Sequence, residues 1–287
     1  MKIAILMTVF NRKNETQKIL ESIILQKSKI RNIIISIFVI DGGSSDGTSE
    51  LISNSFPEVV FEVREGYYWN SGMREAWLLA LPQEFDFYLL LNNDVELFNS
   101  TFSNLEKILY NNPSIREQII VGSTLALNGL RFTYGPLKRN SKLSPIKFEN
   151  NSKGDKRETV TFNANFVLIS KYVVERLGIL SKTYSHAFGD IDYGLRATKF
   201  GIPFFHLDFP IGICPENSEW QKIQLGQSEH SWKYLLSHPK GIPALEWFAF
   251  CRDHGGRLWF LRFCFRYARI AIRRLLMQGS QSRKPST

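Results

Sequence analysis

The sequence has few cysteines and no long uninterrupted apolar segment. Only three of its 287 residues are cysteine, Cys214, Cys251 and Cys264, and their spacing fits no metal-binding motif. An odd number of cysteines indicates no disulfide framework and favours a reducing compartment. No run of 18 or more uncharged apolar residues occurs, so no helix is expected to span a membrane. Residues 1–10 lack a basic leader and a cleavage site, so they are predicted to form a core strand rather than a signal peptide. A cytoplasmic location is expected.

Acidic residues are scarce in the last part of the chain, and positive charge therefore accumulates there. Residues 240–287 carry ten Lys and Arg residues against only Glu246 and Asp253, so eight of the nine net positive charges lie in this segment. The first 239 residues are close to neutral. Basic charge alone is not a nucleic-acid-binding motif, and a nucleic-acid partner is not expected.

Apolar segments alternate with helical patterns over the first 125 residues. Strands are predicted at 2–9, 33–40, 59–63, 85–91 and 119–123, and helices at 14–26, 70–81 and 100–110. This alternation predicts an α/β fold with a mostly parallel central sheet flanked by helices. Ligands of such sheets bind beyond the carboxyl ends of the strands, where polar loops follow the first, second and fourth strands. Further on, residues 131–158 are predicted to form a hairpin or mobile loop, and residues 159–170 a single strand.

The segment Asn92-Asn93-Asp94 follows the predicted fourth strand. A carboxylate at this position could hold Mg²⁺ or Mn²⁺ against a diphosphate, because these cations prefer hard oxygen ligands. The alternative is an ordinary turn, since Asn and Asp are turn formers. His206 is a candidate for a further metal ligand, although a single histidine is more often structural.

A second acidic segment, Asp190-Ile191-Asp192, lies at the start of a predicted helix. An ionised Asp190 could accept a proton from a sugar hydroxyl as a general base. The alternative is helix capping, because acidic side chains favour the first helical turn and Asp192 is four residues before Arg196. Both roles are compatible, with Asp190 as the base and Asp192 positioning the acceptor or the helix.

Taken in chain order, five segments resemble the family 2 glycosyltransferases, which have the GT-A fold. The matching segments are residues 8–12, 41–48, 70–73, 91–94 and 188–196, which together span about residues 3–215. Three positions depart from the family pattern. The metal motif carries one carboxylate, Asp94, Gly189 stands where a Glu commonly precedes the base, and Trp69 stands where a basic residue often precedes the Asn.

The resemblance implies a domain at residues 1–239, with a Rossmann-like nucleotide-sugar-binding half at 1–125 and an acceptor half at 126–239, followed by a basic helical extension at 240–287. Asp41 would contact the nucleobase, and Asn93 would lie near the ribose. Asp94 would bind the metal, and Asp190 and Asp192 would be the catalytic carboxylates. The other residues assigned to the donor site are Thr8, Phe10, Arg12, Asn70 and Gly72.

The implied activity is metal-dependent, inverting transfer of a sugar from a nucleotide-diphosphate sugar, UDP- or dTDP-linked, to a hydroxyl of a glycan or lipid-linked acceptor. Bacterial surface-polysaccharide synthesis is the expected setting. The alternative is a non-catalytic nucleotide-sugar-binding or membrane-docked component of a glycan assembly complex, because Asn92 and Asn93 carry no charge.

The basic tail contains a helical pattern with four arginines on one face. Arg262, Arg266, Arg269 and Arg273 follow the spacing i, i+4, i+7 and i+11, opposite an apolar face that includes Phe260, Phe263 and Tyr267. One interpretation is an interfacial helix on the inner face of the cytoplasmic membrane, with these aromatic side chains inserted. The other is a helix that packs on the domain with its arginines in solvent.

Overall fold

The computed structural model describes residues 1–141 and 144–281, so residues 282–287 of the predicted extension lie outside the described part. The chain forms two compact units. The first comprises Met1–Asn140 and Phe148–Pro215, and the second comprises the chain from Glu216 onward with the short segment Ser141–Lys147. The predicted domain boundary after residue 239 concerns which part of the chain folds and acts independently. The division of the chain into two compact units does not test this, and the boundary stays a prediction.

The described residues form eleven β-strands and ten α-helices. The strands are β1 (Lys2–Val9), β2 (Ile34–Asp41), β3 (Val59–Val63), β4 (Phe87–Leu91), β5 (Glu96–Leu97), β6 (Ile119–Leu125), β7 (Pro136–Arg139), β8 (Phe148–Asn150), β9 (Thr159–Phe162), β10 (Phe166–Ser170) and β11 (Phe204–Ile213). The helices are α1 (Lys13–Lys27), α2 (Thr48–Ser55), α3 (Trp69–Ala80), α4 (Thr101–Asn111), α5 (Lys171–Leu177), α6 (Gly189–Lys199), α7 (Ser218–Leu225), α8 (Trp232–Ser237), α9 (Ala244–His254) and α10 (Trp259–Gln281).

Eight of the strands form one mixed sheet in the order β3-β2-β1-β4-β10-β6-β11-β5. The pairs β3–β2, β2–β1, β1–β4 and β6–β11 are parallel, and the pairs that β10 makes with β4 and β6 are antiparallel, as is β11–β5. The predicted α/β class with a central sheet, flanking helices and a C-terminal helix is confirmed. Because β10 enters between β4 and β6, the parallel character is limited to the two halves of the sheet.

Helices cover both faces of this sheet, as its nearly continuous apolar strands require. Alternate residues of β1 enter different cores, since successive side chains of a strand point to opposite faces. Ile3 and Ile5 belong to a core that includes side chains from α1 and α4, whereas Ala4 and Leu6 belong to a core that includes side chains from α3, α5 and α6. The two faces therefore have separate hydrophobic cores, both built by the first unit.

The polar segment after β6 folds into a small three-stranded sheet in the order β8-β7-β9. The hairpin predicted within 131–158 is present as antiparallel β7 and β8, with Leu137 opposite Asn150. The single strand predicted at 159–170 is wrong, because β9 ends at Phe162 and β10 begins at Phe166 in the other sheet. The three intervening residues carry the chain between the sheets, and two of them, Ala164 and Asn165, contact the candidate site described below.

Within the part of the chain that the structure describes, no helix combines the length and the apolar character that crossing a bilayer would require.

Candidate active site

The loops that follow β1, β2 and β4 meet at the carboxyl ends of these parallel strands. The Gly42 amide donates to the carbonyl of Val9 (2.9 Å), and the amide of Asn11 donates to the hydroxyl of Ser44 (2.8 Å). Asn11 has a positive φ of 49°, which is uncommon for a residue other than glycine. These contacts place the loops after β1 and β2 side by side, as expected for neighbouring strands of a parallel sheet.

Asp94 pairs with an arginine from the loop after β1. Nη1 of Arg12 lies 2.6 Å from Oδ2 of Asp94, and both side chains are partly exposed. Burial lowers the pKa of Arg12, but the charge and the hydrogen bond of Asp94, with smaller contributions from Glu15 and Cys214, together raise it above its ordinary value. The Cys214 thiol donates to Oδ1 of Asp94 over 3.7 Å, and burial together with this carboxylate raises the pKa of the thiol. Asp94 is therefore contacted by a cation on one oxygen and by a neutral thiol on the other.

The polar groups around Asp94 do not form a metal site by themselves. Oδ1 of Asn92 accepts a hydrogen bond from Nε1 of Trp69 (2.7 Å), and Nδ2 of Asn93 donates to Thr16 on α1 (3.1 Å). Among the described residues, no three His, Cys, Asp or Glu side chains cluster closely enough to hold a metal ion. Asp94 supplies the single carboxylate of this segment, and Arg12 already pairs with it. Asn92, Asn93 and Asp94 therefore do not fit a divalent cation held by the protein alone.

His206, the candidate for a further metal ligand, is buried and contacts Thr159 through Nε2 (2.8 Å). Burial lowers its pKa to about 4, with a further lowering from Lys156. Among the described residues, this histidine belongs to no group of three His, Cys, Asp or Glu side chains that could hold a metal ion, and its ligand role stays a prediction.

Asp41 organises the loop after β2. It is fully buried, and its Oδ1 accepts hydrogen bonds from the backbone amides of Gly43 and Ser44 (3.0 and 2.8 Å) and from the Ser44 hydroxyl (2.7 Å). Oδ2 accepts from the hydroxyl of Ser49 (2.6 Å). A donor nucleotide would reach this carboxylate only after the loop had moved. The folded chain itself uses Asp41 to hold the loop that follows β2.

Phe10 and Tyr67 are aromatic side chains exposed beside this loop. Phe10 is 46% exposed and Tyr67 is 36% exposed. A Cβ atom at Gly42 would collide with the carbonyl oxygen of Tyr67 and would touch the ring of Phe10 at 3.5 Å, so only glycine permits this close approach. The two rings offer apolar faces for stacking, which suits the base of a nucleotide.

Thr8, Asn70 and Gly72 hold the start of α3 against its surroundings. The Thr8 hydroxyl donates to the carbonyl of Trp69 (3.4 Å), and a Cβ atom at Gly72 would lie 2.6 Å from Oγ1 of Thr8. Nδ2 of the fully buried Asn70 donates to the carbonyls of Ser181 and Tyr184 (2.9 and 2.6 Å). These three predicted donor-site residues thus support the packing of α3 beneath the site.

The Asn70 side chain also explains the glycine before the predicted base. A Cβ atom at position 189 would collide with Oδ1 of Asn70, which accepts no hydrogen bond from any residue that the structure describes. Glutamate at 189 is therefore excluded while Asn70 occupies this position. Phe188, immediately before it, has a positive φ of 70°, and such strained backbone is concentrated at functional sites.

Asp190 is held at the N-terminus of α6 by two backbone amides. Oδ2 accepts from the amide of Ala164 (3.2 Å), and Oδ1 accepts from the amide of Ile191 (2.8 Å). Loss of hydration raises the pKa of this partly buried carboxyl to about 6, and the two amides oppose the shift. A carboxylate with a pKa near 6 is a stronger base than an ordinary aspartate and is still mainly ionised at neutral pH.

Asp192 faces a different environment, although it lies only two residues away. Its side chain is 6% exposed, and Oδ2 accepts from Nε of Arg196 (2.9 Å). The same arginine donates to the carbonyls of Leu177 and Ile179 (3.0 and 3.2 Å). This network joins α6 to the end of α5, an arrangement that suits the positioning role predicted for Asp192.

Two short segments connect the acidic motifs, which lie 96 residues apart in sequence. Asn165 accepts at its carbonyl from the amide of Asn92 (3.2 Å), while the adjacent Ala164 donates to Asp190. Trp69 donates to Asn92, while the adjacent Asn70 packs against the residue before Asp190. Ala164, Asn165 and Cys214 are site residues that the sequence did not identify. Ala and Cys carry no motif signal, whereas Trp69 was noted in the sequence as a departure from the family pattern.

Comparisons with known proteins agree with this architecture. No protein-family model matches the sequence, and no curated protein matches it. Among solved structures, the chain is similar to TarS 1–349 of S. aureus in complex with UDP-GlcNAc, with 12% identity, a TM-score of 0.57, and coverage of 100% of this chain and 93% of that one. It is also similar to the mannosyltransferase PcManGT of Pyrobaculum calidifontis in complex with GDP-Man and Mn²⁺, with 16% identity, a TM-score of 0.53, and coverage of 93% and 69%. The chain therefore has a GT-A-like glycosyltransferase fold.

Proposed function

We propose that the protein is an inverting glycosyltransferase that uses a nucleotide-diphosphate sugar. The observation that carries this proposal is the double connection between the two acidic motifs. Trp69–Asn70 and Ala164–Asn165 each contact both the Asp94 loop and the start of α6. A cation suited to a diphosphate and a carboxylate suited to a hydroxyl thus belong to one connected site, and transfer from an activated sugar requires both.

Asp190 is the proposed general base. It removes the proton from an acceptor hydroxyl, whose oxygen attacks the anomeric carbon of the donor. The bond from this carbon to the diphosphate breaks in the same displacement, and the electron pair leaves with the nucleoside diphosphate. A single displacement inverts the configuration at the anomeric carbon. The raised pKa of Asp190 favours proton removal, because basicity increases with pKa.

Arg12 is the proposed partner of the departing diphosphate. Its guanidinium lies at the carboxyl ends of the strands and is 45% exposed in its side chain, so a phosphate can reach it. Arginine forms paired hydrogen bonds with phosphate oxygens. Binding of the donor would replace Asp94 by the diphosphate as the counter-ion of Arg12.

The ion pair between Arg12 and Asp94 also bears on metal dependence. A divalent cation at Asp94, as the resemblance implies, would supply charge to the diphosphate, but the carboxylate would first have to leave Arg12. Titration of UDP and GDP in EDTA and in Mn²⁺ separates the two arrangements. We expect the nucleotides to bind in EDTA, and an absolute requirement for Mn²⁺ would overturn the assignment to Arg12 and support the metal site.

The donor is proposed to be UDP- or dTDP-linked, with its base stacked on Phe10 and Tyr67. The structural neighbours were solved with UDP-GlcNAc and with GDP-Man, so a donor screen should include UDP, dTDP and GDP sugars. A ligand that binds only the folded state raises the thermal midpoint. Turnover of a stabilising donor tests the proposed function directly, and a screen in which no nucleotide sugar stabilised the protein would count against it.

The acceptor is proposed to be a glycan or a lipid-linked glycan of bacterial surface-polysaccharide synthesis, at the inner face of the cytoplasmic membrane. The second candidate function is a non-catalytic nucleotide-sugar-binding component. It is favoured by one observation, that Asn92, Asn93 and Asp94 all make contacts within the protein. Donor binding without sugar transfer to any glycan acceptor and without donor hydrolysis would support this second function.

A further inference from the structure

Helix α10 of the second unit directs its arginines toward neighbouring backbone. Arg262 donates to the carbonyl of Gly255 (2.7 Å), and Arg273 donates to that of Leu225 (3.0 Å). Arg274 donates to the carbonyls of Ser228 and His230 (2.9 and 2.7 Å). These guanidinium groups satisfy carbonyls in and around α7 and α9, so they act in the packing of the unit.

Both sequence-based interpretations of this helix therefore need correction. Arg266 stacks over Trp247, with 4.2 Å from its guanidinium carbon to the ring centre, instead of facing solvent. Tyr267, one of the side chains expected to insert into a membrane, donates its hydroxyl to the carbonyl of Ile242 (2.9 Å), and Phe263 packs edge-on against Phe248. The arginine face of α10 therefore packs against the rest of the second unit, which neither interpretation predicted. Arginine can pack in this way because its long apolar stem covers apolar surface while its guanidinium binds carbonyls.

A separate face of α10 is apolar and exposed. We call it the outer stripe, and it consists of Leu261, Phe265, Ala268, Ile272 and Leu275. Its four large side chains are between 58% and 68% exposed. The spacing of 4, 3, 4 and 3 residues keeps all five on one side of the helix over a length of about 20 Å, at about 1.5 Å per residue. Contiguous exposed apolar surface of this kind marks an interaction site.

The charge of the segment decides between a second copy of the chain and a lipid surface. After Asp253 the sequence contains no acidic residue and carries eight Lys and Arg residues. The 4-3-4-3 spacing is also that of a coiled-coil seam, in which flanking charge pairs set the choice of partner. Two copies of α10 packed along the outer stripe would bring arginine-rich helices together with no acidic residue of the segment after Asp253 to form such pairs. An anionic surface, by contrast, complements this charge.

We propose that the outer stripe inserts into the interface of an anionic lipid bilayer. The arginines attract the anionic surface through the positive potential that they create. This potential extends over about a Debye length, roughly 10 Å at 0.1 M salt. The apolar side chains, rather than arginine contacts with headgroups, provide the attachment. This inference deepens the membrane location proposed above and names the surface that makes the contact.

The test is co-sedimentation of the full chain with phosphatidylcholine vesicles that contain or lack phosphatidylglycerol. We expect binding to the anionic vesicles and at least a tenfold weaker partition for the double variant Phe265→Glu and Ile272→Glu. The matched control is Leu130→Glu, an equally drastic change at a side chain that is 80% exposed in the first unit, and it should bind as the wild type does. Unchanged thermal midpoints would show that both variants are folded.

Two outcomes would overturn the inference. One is wild-type protein that stays in the supernatant with anionic vesicles at low salt. The other is a dimer in sedimentation velocity that the double variant converts to a monomer, which would assign the stripe to a second copy. Sugar transfer to an acceptor in solution, measured in parallel, keeps the proposals apart, because it depends on the first unit's site and not on vesicle binding.

Discussion

Arginine serves two different purposes in the two units of this protein. In the first unit, Arg12 pairs with Asp94 at the exposed ends of the strands, and a diphosphate could replace this counter-ion. In the second unit, Arg262, Arg273 and Arg274 bind backbone carbonyls, and no ligand is needed to explain them. The difference shows that a charged side chain suggests a ligand only where its partner is itself exchangeable.

The largest expected effect is on Asp190, whose carboxylate accepts hydrogen bonds from the backbone amides of Ala164 and Ile191. We expect Asp190→Asn to lower kcat by about 10² to 10⁴, the range for loss of a general base. Affinity for the donor nucleotide should stay the same, because the base acts on the acceptor. Steady-state kinetics with nucleotide titration would check this, and wild-type turnover in the variant would remove Asp190 from the mechanism.

Asp192 is expected to act mainly on stability. Replacing it with Asn leaves the guanidinium of Arg196 without its carboxylate in a buried network, which typically costs about 3 kcal/mol in the free energy of unfolding. Denaturant unfolding would measure this loss. If Asp192→Asn left stability unchanged and abolished turnover, then Asp192 would be a catalytic group and the contrast with Asp190 would fail.

Arg12→Ala should weaken binding of UDP or GDP in EDTA by about tenfold, the effect of losing one charge-assisted hydrogen bond. Arg157→Ala is the matched control, because Arg157 also pairs with a carboxylate, that of Asp155, but lies in an exposed ion pair. Calorimetric titration of both variants compares an exchangeable pair with a merely superficial one. Equal affinities for all three proteins would refute a role for Arg12 in binding the diphosphate.

The pH dependence follows from the pKa of Asp190, near 6 in the folded protein and 3.8 as the reference value. Activity needs the ionised form, so kcat/KM should fall about tenfold per pH unit below pH 6.

The free energy of unfolding should change with pH in the opposite direction to activity. The folded state holds this proton more tightly, so stability is fully present below about pH 4 and is lost as pH rises through 6. Asp190→Asn should accordingly be more stable than wild type at pH 7, by up to about 3 kcal/mol, as thermal unfolding at pH 4 and pH 7 would show.

The smallest expected effect is on the arginines of α10. Arg273→Ala removes a partly exposed hydrogen bond to Leu225 and should lower stability by about 1 kcal/mol or less. Vesicle binding should change little, since the outer stripe is unaltered. A strong loss of vesicle binding without loss of stability would indicate direct contact of the arginines with headgroups and would weaken the contrast between the two units.

The sequence by itself determined the elements whose signals are local. Apolar strands alternating with helical patterns predicted the α/β sheet with helices on both faces, and polar loops predicted a site at the strand ends. The spacing of Arg262 to Arg273 predicted a shared face of one helix. Such features depend on the periods of 2 and 3.6 residues, which a single segment carries within itself.

The tertiary structure decided every feature that depends on a partner far away in the chain. Residues 159–170 form two strands, β9 and β10, in different sheets, and the segment between them contacts Asp190 through the amide of Ala164. Asn70 excluded a side chain at Gly189, and Arg12 occupied the only carboxylate of the loop after β4. A helical pattern fixes which residues share a face, but the direction of that face depends on what packs against it. The arginines of α10 donate hydrogen bonds to carbonyls around α7 and α9, and the outer stripe is therefore exposed.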